Sequence, residues 1–229
     1  MFTSKETREQ KHLFKLIILA GLFIAGVTVA NIVATKIISL GPWNVPGGVF
    51  VFVLTFMCTD IVSEVWGKPT AKKVVWAGFI ANVIMALYIR LIIWFPAAPF
   101  FPFNEEFATI MGANYRIVLG GLGAYLVSQF LDLHIFHYIR GKTGVKHLWL
   151  RNTCSSLVSQ LVDSFIFLTL AFVVTMPFDV IIGMWIPTVL LKWIIAICDT
   201  PFCYLGVWWA RKTAPEEDYC DLEESKDVS

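Results

Sequence analysis

The sequence has 229 residues, of which 57% are hydrophobic and only 15% are charged, and its formal net charge is +1. Soluble domains usually carry about 25% charged residues, so this composition excludes an ordinary soluble domain. The basic residues lie mostly in short loops and tails rather than along one face, which excludes a nucleic-acid-binding surface. The five cysteines show no paired spacing, and they predict neither a disulfide framework nor a metal site.

Six apolar stretches are long enough to cross a bilayer, whose hydrocarbon core of about 30 Å needs about 20 helical residues. We place them at residues 14–35, 47–65, 74–95, 117–137, 155–175 and 182–209. Clusters of glycine and proline at 41–42, 46–48 and 67–69 support the boundaries. The predicted fold class is an all-α integral membrane protein with six transmembrane helices. Its parts are a cytoplasmic N-terminal segment (1–13), one transmembrane domain (14–210) and an acidic, disordered cytoplasmic tail (211–229).

The basic residues set the orientation, because positively charged loops stay in the cytoplasm. Of the 18 lysines and arginines, 14 fall in or beside the N-terminal segment, in the loops near 68–73 and 140–151, and in the C-terminal tail. The opposite side has only Lys36 and Arg116. We therefore predict that both termini are cytoplasmic and that the aromatic segment 95–106 lies outside, against the lipid headgroups.

Polar side chains occur in every span, although an ionised one at the centre of a helix costs about 2.5–3.5 kcal/mol to insert. The first span has Asn31, and the second has Asp60 and Glu64, which share a helix face because they are four residues apart. These two acids either cap the cytoplasmic end of their helix by pairing with the lysines of the following loop, or belong to a polar interior that the helices share.

The fourth and fifth spans contain a sequence repeat. Residues 126–136 (LVSQFLDLHIF) recur 31 positions later as residues 157–167 (LVSQLVDSFIF), with seven identical positions in eleven. In each copy a glutamine and the aspartate three residues later point to the same side of the helix, Gln129 with Asp132 and Gln160 with Asp163. Because adjacent spans run in opposite directions, the repeat predicts a local inverted pair, from which transporters build polar sites.

The two copies can be compared by depth. With cytoplasmic ends near residues 138 and 154, residues of the two spans lie at the same depth when their numbers sum to about 292. Gln129 then lies opposite Asp163, and Asp132 lies opposite Gln160. Two such amide–carboxylate pairs would suit a planar heterocycle with N–H and C=O edges. The alternative is that the pairs only hold the helices together, through hydrogen bonds worth about 0.6–2 kcal/mol each.

The sixth span carries Lys192 and Asp199, which share a helix face because they are seven residues apart. They either form an internal ion pair that orients the helices or contribute to the polar site. Nine residues are therefore candidates for solute binding: Asn31, Asp60, Glu64, Gln129, Asp132, Gln160, Asp163, Lys192 and Asp199.

Several motifs together carry a family likeness. They are Ala30-Asn31 with Lys36, the stretch TDIVSEVWG at 59–67, the doubled Ser-Gln-x-x-Asp, and Lys192 followed by Asp199-Thr200-Pro201 and Tyr204. From about Leu13 to Arg211 the chain resembles the vitamin-uptake-type queuosine precursor transporters of bacteria, which are related to the substrate-binding subunits of energy-coupling-factor transporters. Trp66 stands where that pattern leads us to expect tyrosine.

The resemblance implies import of 7-cyano-7-deazaguanine, or of its 7-aminomethyl relative, across the bacterial inner membrane for the synthesis of queuosine in tRNA. It implies no cofactor, and it allows but does not require an energy-coupling module. A guanine-like ring has adjacent N1–H and NH₂ donors, which one carboxylate, that of Asp132 or Asp163, can accept together. Its carbonyl can meet an amide or an ammonium group.

Two other functions stay open as alternatives. An intramembrane enzyme is disfavoured because no Ser–His or Cys–His pair lies at a common depth within the spans and no His-Glu-x-x-His motif occurs. A substrate-binding subunit for another small vitamin-like solute would need a separate ATPase, because the sequence has no P-loop.

Overall fold

A computed structural model of the chain describes residues 4–112, 115–144, 147–173 and 177–213. Its elements, in chain order, are helix α1 (Ser4–Val33), strands β1 (Ile37–Leu40) and β2 (Trp43–Pro46), and helices α2 (Val49–Trp94), α3 (Asn104–Gly112), α4 (Tyr115–Thr143), α5 (Leu148–Phe172) and α6 (Phe178–Arg211). The architecture is helical, as the sequence predicts. The predicted acidic tail lies outside the described residues from position 214 onward.

Helix α2 covers the predicted second and third spans in one element. Its 46 residues would measure about 69 Å at 1.5 Å per residue, roughly twice the hydrocarbon thickness of a bilayer. Gly67 interrupts the helix with φ 80° and ψ 169°, and Pro69 follows. A φ in this region favours glycine because a side chain would be strained there. The predicted turn at 67–69 is therefore a sharp break between two helical segments rather than a loop.

The hairpin β1–β2 is absent from the predicted fold class. The two strands pair antiparallel, with Ile37 opposite Pro46 and Leu40 opposite Trp43, and Gly41 supplies the left-handed turn conformation with φ 64°. Glycine and proline at 41–42 and 46–48 mark the turn and the end of the second strand. Gly48 lies so close to the backbone of Ala30 that an added Cβ would collide with its carbonyl oxygen, so this glycine lets the start of α2 pack against α1.

The outside of the bundle is apolar. Four of the described helical stretches are long and apolar enough to cross a membrane: Arg8–Val33, Val49–Trp94, Leu148–Phe172 and Phe178–Arg211. Large hydrophobic side chains point outward along them, among them Leu22, Leu87, Trp94 and Trp208. A surface of this kind is unfavourable in water and is typical of a protein that crosses a bilayer several times.

Polar side chains, in contrast, are concentrated inside. The buried set includes all nine candidate residues, and the most exposed of them, Asn31 and Asp199, have only 6% of their surface accessible. An apolar core, formed mainly by α1, α2 and α4 and including Phe23, Val75 and Tyr125 at 0% exposure, surrounds part of this interior. Apolar side chains on the outside and polar side chains on the inside favour a polar site within the bundle over one at its surface.

Candidate functional site

A cavity opens inside the bundle beside the hairpin. We call it the polar cavity, and its walls come from all five long helices and the end of the hairpin. They are formed by Ala30, Asn31, Ala34, Pro46, Gly48, Val49, Phe52, Gly121, Asp163, Phe167, Thr188 and Lys192. Mostly apolar walls with a few polar groups are typical of small-molecule sites.

An ion pair forms the charged wall of the polar cavity. Lys192 of α6 donates to the Oδ2 of Asp163 of α5 at 2.6 Å, and both side chains are only 5% exposed. The ammonium group also lies over the ring of Phe52 of α2, 5.0 Å from its centroid. Of the two alternatives for Lys192 and Asp199, the ion pair between them is wrong, because Lys192 reaches across to Asp163 of the neighbouring helix.

An amide forms the opposite polar wall. The Nδ2 of Asn31 donates to the Oδ1 of Asn82 at 2.7 Å, and the Nδ2 of Asn82 in turn donates to the carbonyl of Gly78 at 2.8 Å. Gly121 of α4 lies directly against Asn31, because an added Cβ would sit 2.6 Å from the Asn31 Oδ1. This chain of bonds fixes the orientation of the Asn31 amide, so that its position does not depend on a bound solute.

The two copies of the sequence repeat bind each other through serine and aspartate. Ser128 of α4 donates to the Oδ1 of Asp163 at 3.1 Å, and Ser159 of α5 donates to the Oδ1 of Asp132 at 2.9 Å. Ser128 and Ser159 hold the same position in the two copies. The residue numbers in each bond sum to 291, so the predicted depth relation is confirmed for this pair of helices, which run antiparallel.

The predicted glutamine–aspartate pairs are wrong. The Oε1 of Gln129 lies 3.4 Å from the hydroxyl of Thr59, and its Nε2 has no partner among the described residues. Both polar atoms of the Gln160 amide also lack a partner there. Neighbouring positions on a helix point about 100° apart, so the serines face the opposite helix where the glutamines were expected to do so.

Three further acids, which we call the acid cluster, lie away from the wall of the polar cavity. They are Asp60 of α2, Asp132 of α4 and Asp199 of α6, with exposed fractions of 0%, 0% and 6%. The carboxyl groups of the three acids lie close enough together to interact electrostatically, and neither oxygen of Asp60 has a hydrogen-bond partner among the described residues. The acid cluster therefore brings together side chains from helices α2, α4 and α6.

Glu64 has arginine partners. Its carboxylate is 2.5 Å from Arg151 of α5, 2.5 Å from Arg211 at the end of α6 and 3.7 Å from Arg140 of α4. The expected cap with the lysines near position 70 is wrong, because the Glu64 side chain is 1% exposed and points into the bundle. Glu64 therefore holds together the ends of three helices.

Of the nine candidates, the structure brings Asn31, Asp163 and Lys192 to the polar cavity. The other six do not line it: Asp60, Glu64, Gln129, Asp132, Gln160 and Asp199. Sequence reasoning missed the aromatic and hydroxyl walls, Phe52, Phe167 and Thr188. Phe167 ends the second copy of the repeat, which is a signal that was available, whereas Phe52 and Thr188 follow no pattern in the sequence.

Comparison with known proteins identifies the family of the chain. A family model described as "Putative vitamin uptake transporter" matches residues 46–206, which is more than half of the chain. The chain belongs to the vitamin uptake transporter family. The resemblance drawn from the sequence motifs is thereby confirmed.

Individual relatives of this vitamin uptake transporter agree with the family model. The chain is 32% identical to the "Probable queuosine precursor transporter" of Bacillus subtilis, over 82% of this chain and 81% of the relative. It is 26% identical to the "Queuosine precursor transporter" of Escherichia coli, over 73% of this chain and 72% of the relative. A third relative, a "Probable queuosine precursor transporter" of Haemophilus influenzae, is 26% identical over 55% of this chain and 51% of its own length. No solved structure matches the chain.

The part of this vitamin uptake transporter that matches the family model contains most of the polar cavity. Only Ala30 and Asn31 of α1, and Ala34 just after its end, fall outside the matched residues. The ion pair, both aromatic walls and the reciprocal serine–aspartate bonds lie within them. A transport family and an outward apolar surface together make the chain a multi-pass membrane protein.

Proposed function

We propose that this chain imports a queuosine precursor, 7-cyano-7-deazaguanine or 7-aminomethyl-7-deazaguanine, across the bacterial inner membrane, and that the base binds in the polar cavity. The observation that carries the proposal is the composition of that cavity. One carboxylate, one ammonium group and one amide share it with two phenylalanine rings. Relatives of the chain are named for transport of this class of compound, and a planar base with polar edges needs this mixture of groups.

Each wall has a role in the proposal. The carboxylate of Asp163 accepts the N1–H and the exocyclic amine of the base, because a carboxylate has about four lone-pair positions and Ser128 and Lys192 occupy only two of them. Lys192 donates to the carbonyl of the base. Asn31 meets the remaining ring edge, while Phe52 and Phe167 contact the faces of the ring.

Six membrane crossings complete the proposal, with α2 divided at Gly67 and with both termini in the cytoplasm. The break at Gly67 separates two segments that match the predicted second and third spans. Helices α4 and α5 act as a local inverted pair, and the reciprocal serine–aspartate bonds support this. The polar cavity, which lies beside the hairpin between the first two spans, then faces the outer side.

The orientation predicts the behaviour of reporter fusions. A reporter that is active only in the cytoplasm should be active when it is fused after Lys212 or at residues 144–147. A reporter that is active only outside the cytoplasm should be active when it is fused near Glu105. The motivation is the strong bias of lysine and arginine toward one set of loops. The reverse pattern of reporter activity would show that the assigned orientation is wrong.

Uptake by the purified chain tests the function. The chain is placed in liposomes that are preloaded with unlabelled 7-cyano-7-deazaguanine, and exchange of external labelled base is measured. We expect exchange that saturates with concentration and that needs no ATP and no second protein. Exchange isolates binding and translocation from any driving force.

Two results would count against the proposal in different ways. No exchange of either 7-deazaguanine base, by protein that remains monodisperse in detergent, would overturn it. Exchange that appears only after a separate ATPase module and ATP are added would support the alternative of a substrate-binding subunit. Empty liposomes and liposomes that contain heat-inactivated chain serve as controls.

A further inference from the structure

The buried acids fall into two classes. Asp163 has Lys192 as its cationic partner, and Glu64 has three arginines. No cation within the part of the chain that the structure describes forms an ion pair with any member of the acid cluster, Asp60, Asp132 and Asp199. A buried carboxylate without a cation is costly as an anion, so it must be neutralised by a bound proton or by another positive ligand.

The burial of neighbouring acids points to a proton. The carboxyl groups of Asp60 and Asp132 are fully buried and close together, and both oxygens of Asp60 and one of Asp132 lack a hydrogen-bond donor among the described residues. Two ionised carboxylates so close together in a buried position repel each other, so a proton bound by the pair is favoured. Asp199 adds a third acid nearby, which makes loss of that proton still less favourable.

Side chains near the acid cluster that lack hydrogen-bond partners among the described residues also indicate a bound proton. Gln129, one turn before Asp132 on α4, reaches Thr59, the residue before Asp60 on α2, so its amide lies where the two acids meet. The Nε2 of this fully buried amide has no acceptor among the described residues. On α5, the Oδ1 of Asn152 lacks a donor there and lies on the face that carries Ser159. A free donor and a free acceptor beside protonated acids suit a water that relays a proton.

We infer that Asp60, Asp132 and Asp199 bind the proton that drives uptake, so that each inward movement of the base is coupled to inward movement of a proton. This inference rests on the proposed function. The proton binds the cluster from the outer side together with the base and leaves to the cytoplasm when the base is released. No oxidant, nucleotide or metal takes part.

The contacts between α4 and α5 provide the coupling. Asp163 faces the polar cavity and is bonded to α4 through Ser128, while Asp132 belongs to the acid cluster and is bonded to α5 through Ser159. A sliding movement of one helix along the other changes both bonds at once. Occupation of the cavity and protonation of the cluster therefore bias the same movement, which is the condition for coupling between two sites.

The surroundings of the acid cluster favour a proton over a metal cation. The titratable and charged groups that face it are Cys58 and Glu64 from α2, Arg151 from α5 and Cys203 from α6. Arg151 forms its ion pair with Glu64 and attracts Asp60 only from beyond ion-pair distance. Among the described residues, no three histidine, cysteine, aspartate or glutamate side chains are placed to hold a metal ion.

The test separates exchange from accumulation in liposomes that contain the purified chain and a pH-sensitive dye. For the wild type we expect an inward proton gradient to drive accumulation of labelled 7-cyano-7-deazaguanine, a protonophore to abolish it, and addition of the base to acidify the lumen. Asp60→Asn should keep exchange between equal pools of base and lose gradient-driven accumulation and acidification. Asp179→Asn, an exposed acid at the start of α6, should resemble the wild type in all three assays.

Each outcome decides between the proposals. Exchange by the wild type with no acidification, or accumulation driven by a sodium gradient instead, would overturn the inference and leave the proposed function intact. No exchange at all would overturn both. If Asp60→Asn does not fold, Asp199→Asn takes its place, and the wild-type acidification assay needs no variant. Normal gradient-driven accumulation by folded Asp60→Asn and Asp199→Asn would show that the cluster does not carry the proton.

Discussion

Asp163→Asn is expected to weaken binding of a 7-deazaguanine base by about 10- to 150-fold. The change keeps the shape of the side chain but replaces an acceptor oxygen with a donor, so one of the two bonds to the base is lost and an N–H faces an N–H. A hydrogen bond to a charged group is worth about 1.5–3 kcal/mol, which corresponds to this range of affinity. Equilibrium binding of labelled base to the purified variant in detergent measures the effect.

The same substitution also leaves Lys192 without its anion in a buried position, so a loss of binding has a second explanation. Removal of one partner of a buried ion pair commonly costs about 3–5 kcal/mol of stability. The double variant Asp163→Asn with Lys192→Met removes both charges and should recover most of the thermal stability. If the pair only holds α5 and α6 together, the double variant should also recover binding. We expect it to bind the base at least as weakly as the single variant, because the base has then lost both of its charged contacts.

Asp179→Asn is the matched control, since it removes an exposed acid at the start of α6, the helix that carries Lys192, and should change neither stability nor affinity. Wild-type affinity in a well-folded Asp163→Asn protein would show that the polar cavity is not the binding site for the base. Wild-type affinity in the double variant alone would assign the ion pair to helix packing.

The repeat shows how far the sequence leads. The offset of 31 residues and the short connection predict which residues of α4 and α5 share a depth, and the observed bonds agree to within one residue. Depth follows from the rise of 1.5 Å per residue, which is the same for every residue of a helix. The predicted glutamine–aspartate pairs were wrong because the side chain that faces the neighbouring helix depends on how each helix is rotated about its axis. A shift of one position along a helix turns the side chain by about 100°. Small residues such as serine are also the ones that let two helices approach closely.

Ion pairing could not be predicted from spacing. Lys192 and Asp199 share a face of one helix, yet Lys192 binds Asp163, 29 positions away, and Glu64 binds Arg211, 147 positions away. The cost of placing an ionised acid within a membrane span predicts that such an acid has a positively charged or hydrogen-bonding partner. Only the packing of the helices determines which charge comes within reach.

The aromatic walls of the cavity and the hairpin were missed for related reasons. Phenylalanine is abundant in these spans, 19 residues in the chain, and most such side chains on a membrane helix contact lipid. Phe52 therefore does not differ from its neighbours in the sequence. The strands have only four residues each, too few for an alternating pattern to be recognised between glycine and proline.

Glu64→Gln is expected to lower stability strongly, and to act through folding rather than through the polar cavity. Arg151 is the largest fully buried side chain of the described residues, with 0% of its surface exposed, and Glu64 is the anion 2.5 Å from it. Loss of that anion should cost about 3–5 kcal/mol. At about 2–4 °C per kcal/mol for a chain of this size, the midpoint of thermal unfolding in detergent should fall by roughly 6–20 °C.

A second substitution separates charge from packing at this position. Arg140 and Arg211, with side chains 14% and 29% exposed, can turn toward water after the loss of Glu64, but Arg151 cannot. Glu64→Gln combined with Arg151→Met removes the stranded buried charge and should raise the midpoint above that of the single variant. Glu105→Gln, an exposed acid in α3, should leave the midpoint unchanged. An unchanged midpoint in Glu64→Gln, or a double variant less stable than the single one, would show that Arg151 does not depend on Glu64 for its neutralisation.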